Sequence, residues 1–328
     1  MDITRVEPAD AEAVAAYVAV RNAVNSHDAP WLPPNTVRST VADLTVGWDG
    51  EPSFAWLGSE DGETLAFGNV NISEYDNQHL AWLGVRVHPD HRRRGLGTQM
   101  LEAMLDEARA LGRTTFGTDA WDDQGFAAFA SRHGFEQASR AVNRRQALAD
   151  TDYDELSRRY DAALAQAPTY ELVRRVGRTP DDELEPLAVM ASAINDAPTD
   201  DLDIEDEVFT ADRMRGYEHA QEVRGGRLYR VVVRHRETGE LAGQTVVVVE
   251  EDHPTQAHQH DTSVVAAHRG HRLGLLLKAD MNLWLQDAEP QLERIDTWNA
   301  ESNDHMIGVN ELLGYRVLGV EIEYQRKE

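Results

Sequence analysis

Two stretches of this sequence decide its fold: "VRVHPDHRRRGLG" at 85–97 and "TSVVAAHRGHRLG" at 262–274. They align without a gap at an offset of 177 residues, from position 97 to position 274. Two shorter matches follow the same order, "SRHGFE" (131–136) with "ELLGYR" (311–316) and "NSHDAPW" (25–31) with "INDAPTD" (194–200). Because three ordered matches rarely arise by chance, the sequence predicts two copies of one domain.

We predict an N-terminal domain at 1–150, a linker helix at 151–168 and a C-terminal domain at 169–328. Each copy has the pattern of a helix, several strands, a glycine turn, a long helix, a short strand and a last helix. These patterns predict a mixed α/β (α+β) fold, present twice. Two helices are expected to bury an apolar face, which comprises Leu156, Tyr160 and Leu164 in the linker helix and Met104, Leu105, Ala108 and Leu111 after the first glycine turn.

The composition excludes several classes of function. The chain has 58 Asp and Glu residues against 32 Lys and Arg, a net charge of -26. Nucleic acids and anionic membranes are therefore not expected as partners, because both require cationic surface. No transmembrane run and no secretory signal is present, which predicts a cytoplasmic protein. The absence of cysteine excludes disulfides, thiolate metal sites and cysteine nucleophiles.

The turn at 92–97, "RRRGLG", is typical of an anion site. Glycines allow backbone N–H groups to converge on a ligand oxygen, and a helix N-terminus adds donors and a partial positive charge. The arginines offer charge-assisted hydrogen bonds. An isolated motif of this kind is equally consistent with a surface hairpin, but its place between a strand and an amphipathic helix favours a pyrophosphate. Neither a Walker loop nor a Rossmann fingerprint fits the segment.

The segment "WLGVRVHPDHRRRGLG", followed by helix, strand, helix and "HGF", resembles the GCN5-related N-acetyltransferase (GNAT) superfamily. The superfamily signature [Q/R]-x-x-G-x-[G/A] fits residues 92–97 at every position. The resemblance covers the chain twice and is similar to the two-domain acetyltransferases of actinobacteria. It implies a central, mostly antiparallel sheet with one parallel splayed pair of strands and flanking helices in each domain.

The resemblance also implies acetyl-CoA, or another acyl-CoA, as cosubstrate, bound between the splayed strands without a metal. A backbone N–H near Val85 would polarise the thioester carbonyl, and the acceptor amine would attack the thioester directly. The implied CoA-binding residues of the first copy are Val85, Val87, Arg92, Arg93, Arg94, Gly95, Leu96, Gly97 and Thr98. Those of the second copy are Thr262, Val264, Arg269, Gly270, His271, Arg272, Gly274, Asn299 and Asn303.

The second copy departs from this signature, because Arg272 stands where the first copy has Gly95. Either the Arg272 side chain crowds the pyrophosphate, or Gly270 re-forms the turn one step earlier and Arg272 becomes an additional phosphate ligand. Family members often carry a general-acid tyrosine four residues before the final Gly-aromatic pair. Ala130 and Asn310 occupy those positions here, so no tyrosine serves this role.

Candidate general bases lie in "EEDHPTQAHQHD" at 250–261. We predict Asp261 and His260 as catalytic residues that deprotonate the acceptor ammonium, although a solvated acidic hairpin explains the same pattern. A zinc site built from the histidines of this segment is not expected, because their spacing lacks a metal-binding pattern. In the first copy, His79 and Asp119 are weaker candidates.

The acceptor is predicted to be a primary amine of a small molecule or peptide. The loop "NDAPTDDLDIEDE" (195–207) is either a solvated loop or an acidic field that attracts cationic amines, and Trp31 in the first copy can stack on a ligand ring. The predicted activity is acyl-CoA-dependent N-acyl transfer. The alternative is an acyl-CoA-binding sensor or scaffold with one or both domains inactive. We expect a monomer or a homodimer.

Overall fold

The structure, a computed structural model, describes residues 1–328 and contains two compact units. Unit 1 comprises Met1–Ala141, Thr199–Asp206 and Gly319–Glu328, and unit 2 comprises Val142–Pro198 and Glu207–Leu318. Each unit therefore contains chain from both halves of the sequence.

Most predicted helices and strands are present, and additional strands flank them. The elements of the first half are β1 (Asp2–Arg5), α1 (Ala11–Asp28), α2 (Val37–Thr45), β2 (Phe54–Glu60), β3 (Glu63–Ile72), β4 (Leu80–Val87), α3 (Leu96–Ala110), β5 (Thr115–Trp121), α4 (Gln124–Arg132) and β6 (Glu136–Ala147). Those of the second half are α5 (Tyr153–Leu164), β7 (Tyr170–Val176), α6 (Leu184–Ala191), α7 (Ala211–Val223), β8 (Gly226–His235), β9 (Leu241–Glu250), β10 (Gln256–Val264), α8 (Leu273–Ala288), β11 (Arg294–Ala300), α9 (Asp304–Leu312) and β12 (Arg316–Lys327). No helix is long and apolar enough to cross a membrane.

Unit 1 is built on a sheet with the strand order β1-β2-β3-β4-β5-β12. Its neighbours pair antiparallel except β4 and β5, which are parallel. Helix α3 packs on β3 and β4 and buries Met104, Leu105 and Ala108 as predicted. Leu111 is 41% exposed because the helix ends at Ala110, so its predicted burial is wrong. Helix α1 packs on β2 and β3.

Unit 2 repeats this plan, with β11-β10-β9-β8-β7 as neighbouring strands and β10 and β11 as the parallel pair. Helix α8 packs on β8, β9 and β10, while α6 contacts β9 and α7 contacts β8. The helix predicted as a linker, α5, packs on α8 and buries Leu156 and Ala163. Leu164 is 38% exposed, so only part of the predicted apolar face of α5 is buried.

Candidate functional site

The glycine turn of unit 1 leads from the end of β4 into α3 with two residues in the left-handed region. Arg93 has φ +66° and Gly95 has φ +83°. The backbone N–H groups of residues 93–98 have no acceptor within the protein, and Gln99 is the first to bond a carbonyl, that of Gly95. Six successive donors at a helix N-terminus are thus available to an anion.

The turn of unit 2 has the same backbone shape, although its glycine stands elsewhere. Gly270 has φ +88° and Arg272 has φ +56°, at the positions of Arg93 and Gly95. The N–H groups of residues 270–275 have no acceptor within the protein, and Leu276 bonds the Arg272 carbonyl. The turn has therefore not moved one step earlier, as one of the two sequence-based alternatives supposed. Each unit places one glycine and one arginine at its two left-handed positions.

The first arginine of each turn is bound to an aspartate of its own unit. Arg92 donates both terminal nitrogens to the Asp28 carboxylate (2.9 and 2.6 Å) and its Nε to the Val87 carbonyl. Arg269 donates one terminal nitrogen to the Asp196 carboxylate and its Nε to the Val264 carbonyl. The Asp-Ala-Pro match between the two copies thus has a structural cause, since its aspartate ties the end of the first helical segment to the turn.

The remaining side chains of the two turns fall into two groups, those that contact other protein groups and those that do not. Arg94 bonds Glu60, and Thr98 lies 3.2 Å from His133 Nε2. Arg93 and Arg272 are exposed and have no protein partner, so they are the turn arginines whose charges remain available. His271 lies against the Tyr170 ring, with 5.5 Å between the centroids.

The parallel strands separate beside each turn. In unit 1, pairing between β4 and β5 stops at Trp82 and Gly117, although β4 continues to Val87. In unit 2, pairing between β10 and β11 stops at His258 and Asp296.

The separated strands leave a backbone edge unpaired. His88 donates its N–H to the β3 side of its strand, so alternation turns the backbone groups of Val85 and Val87 toward the gap beside β5. Val265 N–H bonds Ala242 in the same way, which turns Thr262 and Val264 toward the gap in unit 2. The four strand residues predicted to meet CoA thus have backbone polar groups on an edge that no strand pairs, where arginine side chains bond the carbonyls of Val85, Val87 and Val264.

The two asparagines predicted to face CoA in unit 2 both have structural partners. Asn303 caps α9 by accepting the Met306 N–H, and the Asn299 amide oxygen accepts a hydrogen bond from Asn310 at 2.7 Å. Asn310 and its counterpart Ala130 are completely buried. Neither Ala130 nor Asn310 is placed to protonate a leaving thiolate. This agrees with the prediction that no tyrosine serves as general acid here.

His260 and Asp261 lie where β10 departs from regular pairing with β9, between Gln259 and Thr262. His260 Nδ1 lies 2.6 Å from the Tyr217 hydroxyl of α7. Burial, assisted by the nearby positive charges, lowers the pKa of His260 to about 3, so the ring is neutral at pH 7. Sequence reasoning missed Tyr217, because no local pattern links α7 to β10.

Asp261 is open to solvent at its side chain but is flanked by protein. The protein around it raises the pKa of its carboxyl, the charge of Arg230 partly opposes this shift, and the exposure of the side chain limits it. An aspartate with a raised pKa at an irregular strand position is a better proton acceptor than an ordinary surface aspartate.

The acidic residues at 196–207 are largely engaged by protein groups. In unit 1, Lys327 lies 2.9 Å from Asp203, Ser139 donates to Asp200, and the Asn77 N–H donates to Glu205. In unit 2, Asp196 and Glu207 bond Arg269 and Arg213. Five of the seven carboxylates therefore have structural partners, which weakens the hypothesis of an open field that attracts amines. The first-copy candidate His79 also bonds this segment, through the Asp203 carbonyl.

Comparisons with known proteins agree with this architecture. Residues 23–135 match the sequence model of the acetyltransferase (GNAT) family. No curated protein sequence matches the chain. Among solved structures, a tandem GNAT protein from the clavulanic acid biosynthesis pathway, determined without AcCoA, is similar over 99% of this chain and 98% of its own, with 25% identity and a TM-score of 0.81.

A GCN5-related N-acetyltransferase from Sphaerobacter thermophilus shares the fold over 99% of this chain and 95% of its own, with 15% identity and a TM-score of 0.68. The chain therefore has the fold of a tandem GNAT protein, and residues 23–135 carry the match to the acetyltransferase (GNAT) family. The predicted fold class and the predicted resemblance are confirmed.

Proposed function

We propose that the protein transfers an acyl group, most simply acetyl, from acyl-CoA directly to a primary amine of a small molecule or peptide. The observation that carries this proposal is the repeated row of unbonded N–H groups, residues 93–98 and 270–275, beside separated strands. Such a row suits the pyrophosphate of CoA. The backbone N–H groups of Val85 and Val87, on the strand edge that β5 does not pair, suit the pantetheine arm, with those of Thr262 and Val264 in the equivalent role.

In unit 2, we propose Asp261 as the group that takes the proton of the acceptor ammonium. His260, held by Tyr217, is neutral at pH 7 and is the second candidate for that proton. The amine then attacks the thioester without a covalent enzyme intermediate, so the absence of cysteine is no obstacle.

Titration with acetyl-CoA is expected to give two sites per chain, and Gly95→Val is expected to remove one of them. A β-branched residue is strained at the φ of +83° that Gly95 adopts, so the N–H groups of the unit 1 turn would lose their convergence. Gly97→Ala is the matched control, because a Cβ there meets only Phe129 and Val87, at 3.6 Å or more. Calorimetric titration counts the sites.

Release of CoA thiol with a panel of primary amines tests the transfer itself. Turnover supports the proposed enzyme. Two-site binding of acetyl-CoA without turnover of any amine would instead favour the alternative of an acyl-CoA sensor. Two intact sites in Gly95→Val would contradict the assignment of the turn.

Arg272→Gly is expected to stabilise unit 2 and to weaken its binding of acetyl-CoA. A non-glycine residue in the left-handed region costs about 1 kcal/mol, which glycine recovers. The exposed guanidinium has no protein partner, so its loss removes one charged contact to the pyrophosphate, about tenfold in Kd. Titration in a Gly95→Val background isolates unit 2. Tighter binding in Arg272→Gly would show that the side chain crowds the site.

A further inference from the structure

The far strand of unit 1, β12, places a group of carboxylates beside the gap between β4 and β5. Strand β12 pairs antiparallel with β5, with Glu321 opposite Trp121 and Glu323 opposite Asp119. Residues directly opposite in an antiparallel pair point to the same face, as do residues two apart on a strand. These four side chains therefore share one face of the sheet, next to the point where β5 separates from β4.

Two of the three carboxylates have hydrogen-bond partners within the protein, and the third has none. Asp119 accepts hydrogen bonds from Arg86 (2.7 Å) and from the Trp82 indole (2.8 Å), both on β4. Glu323 lies beside Ser139, which also bonds Asp200. Glu321 is partly buried, and no donor or cation of the protein bonds it. Glu321 is thus the carboxylate of this face that remains available to a ligand.

Two tryptophans lie beside Glu321 on the same face. Trp31 and Trp121 meet edge to face, with 5.0 Å between ring centroids. Both rings approach β12 at Gly319, where a Cβ would lie 2.7 Å from each ring. Trp31 follows Asp28, the partner of Arg92, by three residues. Both tryptophans are partly exposed, which leaves ring surface for a ligand.

We infer that unit 1 has its own amine site, in which Glu321 takes the proton of a primary ammonium whose apolar body packs on Trp31 and Trp121. This inference rests on the proposed acyl transfer. The face carries three carboxyl groups and one arginine, so once the carboxyls are ionised, above about pH 8, it favours a cation over an anion. Aromatic rings bind both the apolar body and the charge of such a ligand. The acceptor class is therefore an amine bearing an aryl or other compact apolar group.

The proposed acyl transfer moves two protons, forms a carbon–nitrogen bond and breaks a carbon–sulfur bond. One proton passes from the ammonium to the Glu321 carboxylate, and the freed nitrogen lone pair forms a bond to the acyl carbon. The carbon–sulfur bond breaks, and the thiolate takes the second proton from the former amine nitrogen. The products are the amide, CoA thiol and a protonated Glu321, which releases its proton to water.

The surroundings of Glu321 suit this task. Its pKa rises to about 8, chiefly through burial and then through Asp119 on β5, while Arg86 on β4 opposes the rise and Glu323 on β12 adds to it. At pH 7 a carboxyl with this pKa is mostly protonated, so the ionised form that can accept a proton grows as the pH rises to about 8. The rate constant kcat/KM for amine transfer is therefore expected to rise with pH and to level off above about 8.

Glu321→Gln in the full chain tests the assignment, with 2-phenylethylamine as probe and glutamate as an anionic primary amine for comparison. We expect kcat/KM for 2-phenylethylamine to fall at least 100-fold and the rise near pH 8 to disappear. Acetyl-CoA affinity is expected to stay within twofold of wild type, which also reports that the variant is folded. Glu102→Gln, at an exposed position on α3, is the matched control and is expected to behave as wild type.

The variant Asp261→Asn distinguishes transfer at the proposed site of unit 2 from transfer at the proposed amine site of unit 1. If Asp261→Asn abolishes transfer to 2-phenylethylamine while Glu321→Gln retains it with an unchanged pH profile, the unit 1 amine site is refuted and the proposed function stands. If wild type binds acetyl-CoA but acylates no primary amine of the panel, the transfer reaction itself is refuted together with this site. Faster transfer to glutamate than to 2-phenylethylamine would refute the predicted acceptor class.

Discussion

Replacing Lys278 by leucine is expected to stabilise the protein at pH 7 by on the order of 3 kcal/mol and to change how its stability depends on pH. Lys278 is only 1% exposed on α8, and no carboxylate or other acceptor of the protein bonds its Nζ. Its neighbour is the Tyr315 ring, 4.7 Å from Nζ to the centroid. We choose leucine because Leu101 occupies the equivalent position in unit 1 and is buried there.

The pH dependence follows from the direction of the pKa shift. Burial lowers the pKa of Lys278 from 10.5 to about 7. Between these values the unfolded chain binds one proton more than the folded chain does, so wild-type stability is expected to rise with pH. The contribution of this group is about 1.4 kcal/mol per pH unit.

Urea denaturation at several values between pH 6 and pH 10 measures this slope. Lys278→Leu is expected to remove it, and Lys278→Met tests the same loss of charge with an unbranched side chain. Lys327→Met is the control, because Lys327 is exposed and is the other lysine of the chain. An unchanged slope in Lys278→Leu would refute the depressed pKa.

Removing the Glu218 carboxylate is expected to destabilise unit 2 by about 3–5 kcal/mol. Glu218 and Arg230 are each 1% exposed and lie 2.6 Å apart. Glu218 also accepts hydrogen bonds from the backbone and hydroxyl of Thr179 and from Arg215. Glu218→Ala leaves the buried guanidinium of Arg230 without its anion, and this uncompensated charge is the physical cause of the loss.

Urea denaturation of Glu218→Ala measures the destabilisation. The double variant Glu218→Leu with Arg230→Met is expected to recover most of the lost stability, because apolar residues of similar volume need no counter-charge. A double variant no more stable than Glu218→Ala would assign the loss to packing instead of charge. The Glu321-dependent activity of unit 1 serves as an internal control, since this network lies within unit 2.

The duplication and the backbone shape of the turn could be predicted because they depend on local residue patterns. The signature at 92–97 predicted a glycine turn before a helix, and the structure has one in each unit. The role of Arg92 could not be predicted in this way. Its partner Asp28 lies 64 residues earlier in the chain, and only the fold brings the two together.

The last strand of each half was also missed, although one of them had a readable signal. In β12, Ile322 and Tyr324 are buried and alternate with Glu321 and Glu323, the period of a half-buried strand. No local rule assigns that strand to β5 of unit 1. Only its observed pairing places Glu321 beside Trp121 and turns an ordinary polar position into a candidate base.

The pairing of β12 with β5 also sets an order of events during synthesis. Trp121 pairs with Glu321, which the ribosome adds 200 residues later. At about 5–20 residues per second, β5 stays without this neighbour for about 10–40 s. Until then the sheet of unit 1 ends in an exposed edge strand, which makes the nascent chain a substrate for chaperones and a risk for aggregation. The amine site of unit 1 is thus assembled only after the residues of unit 2 have been synthesised.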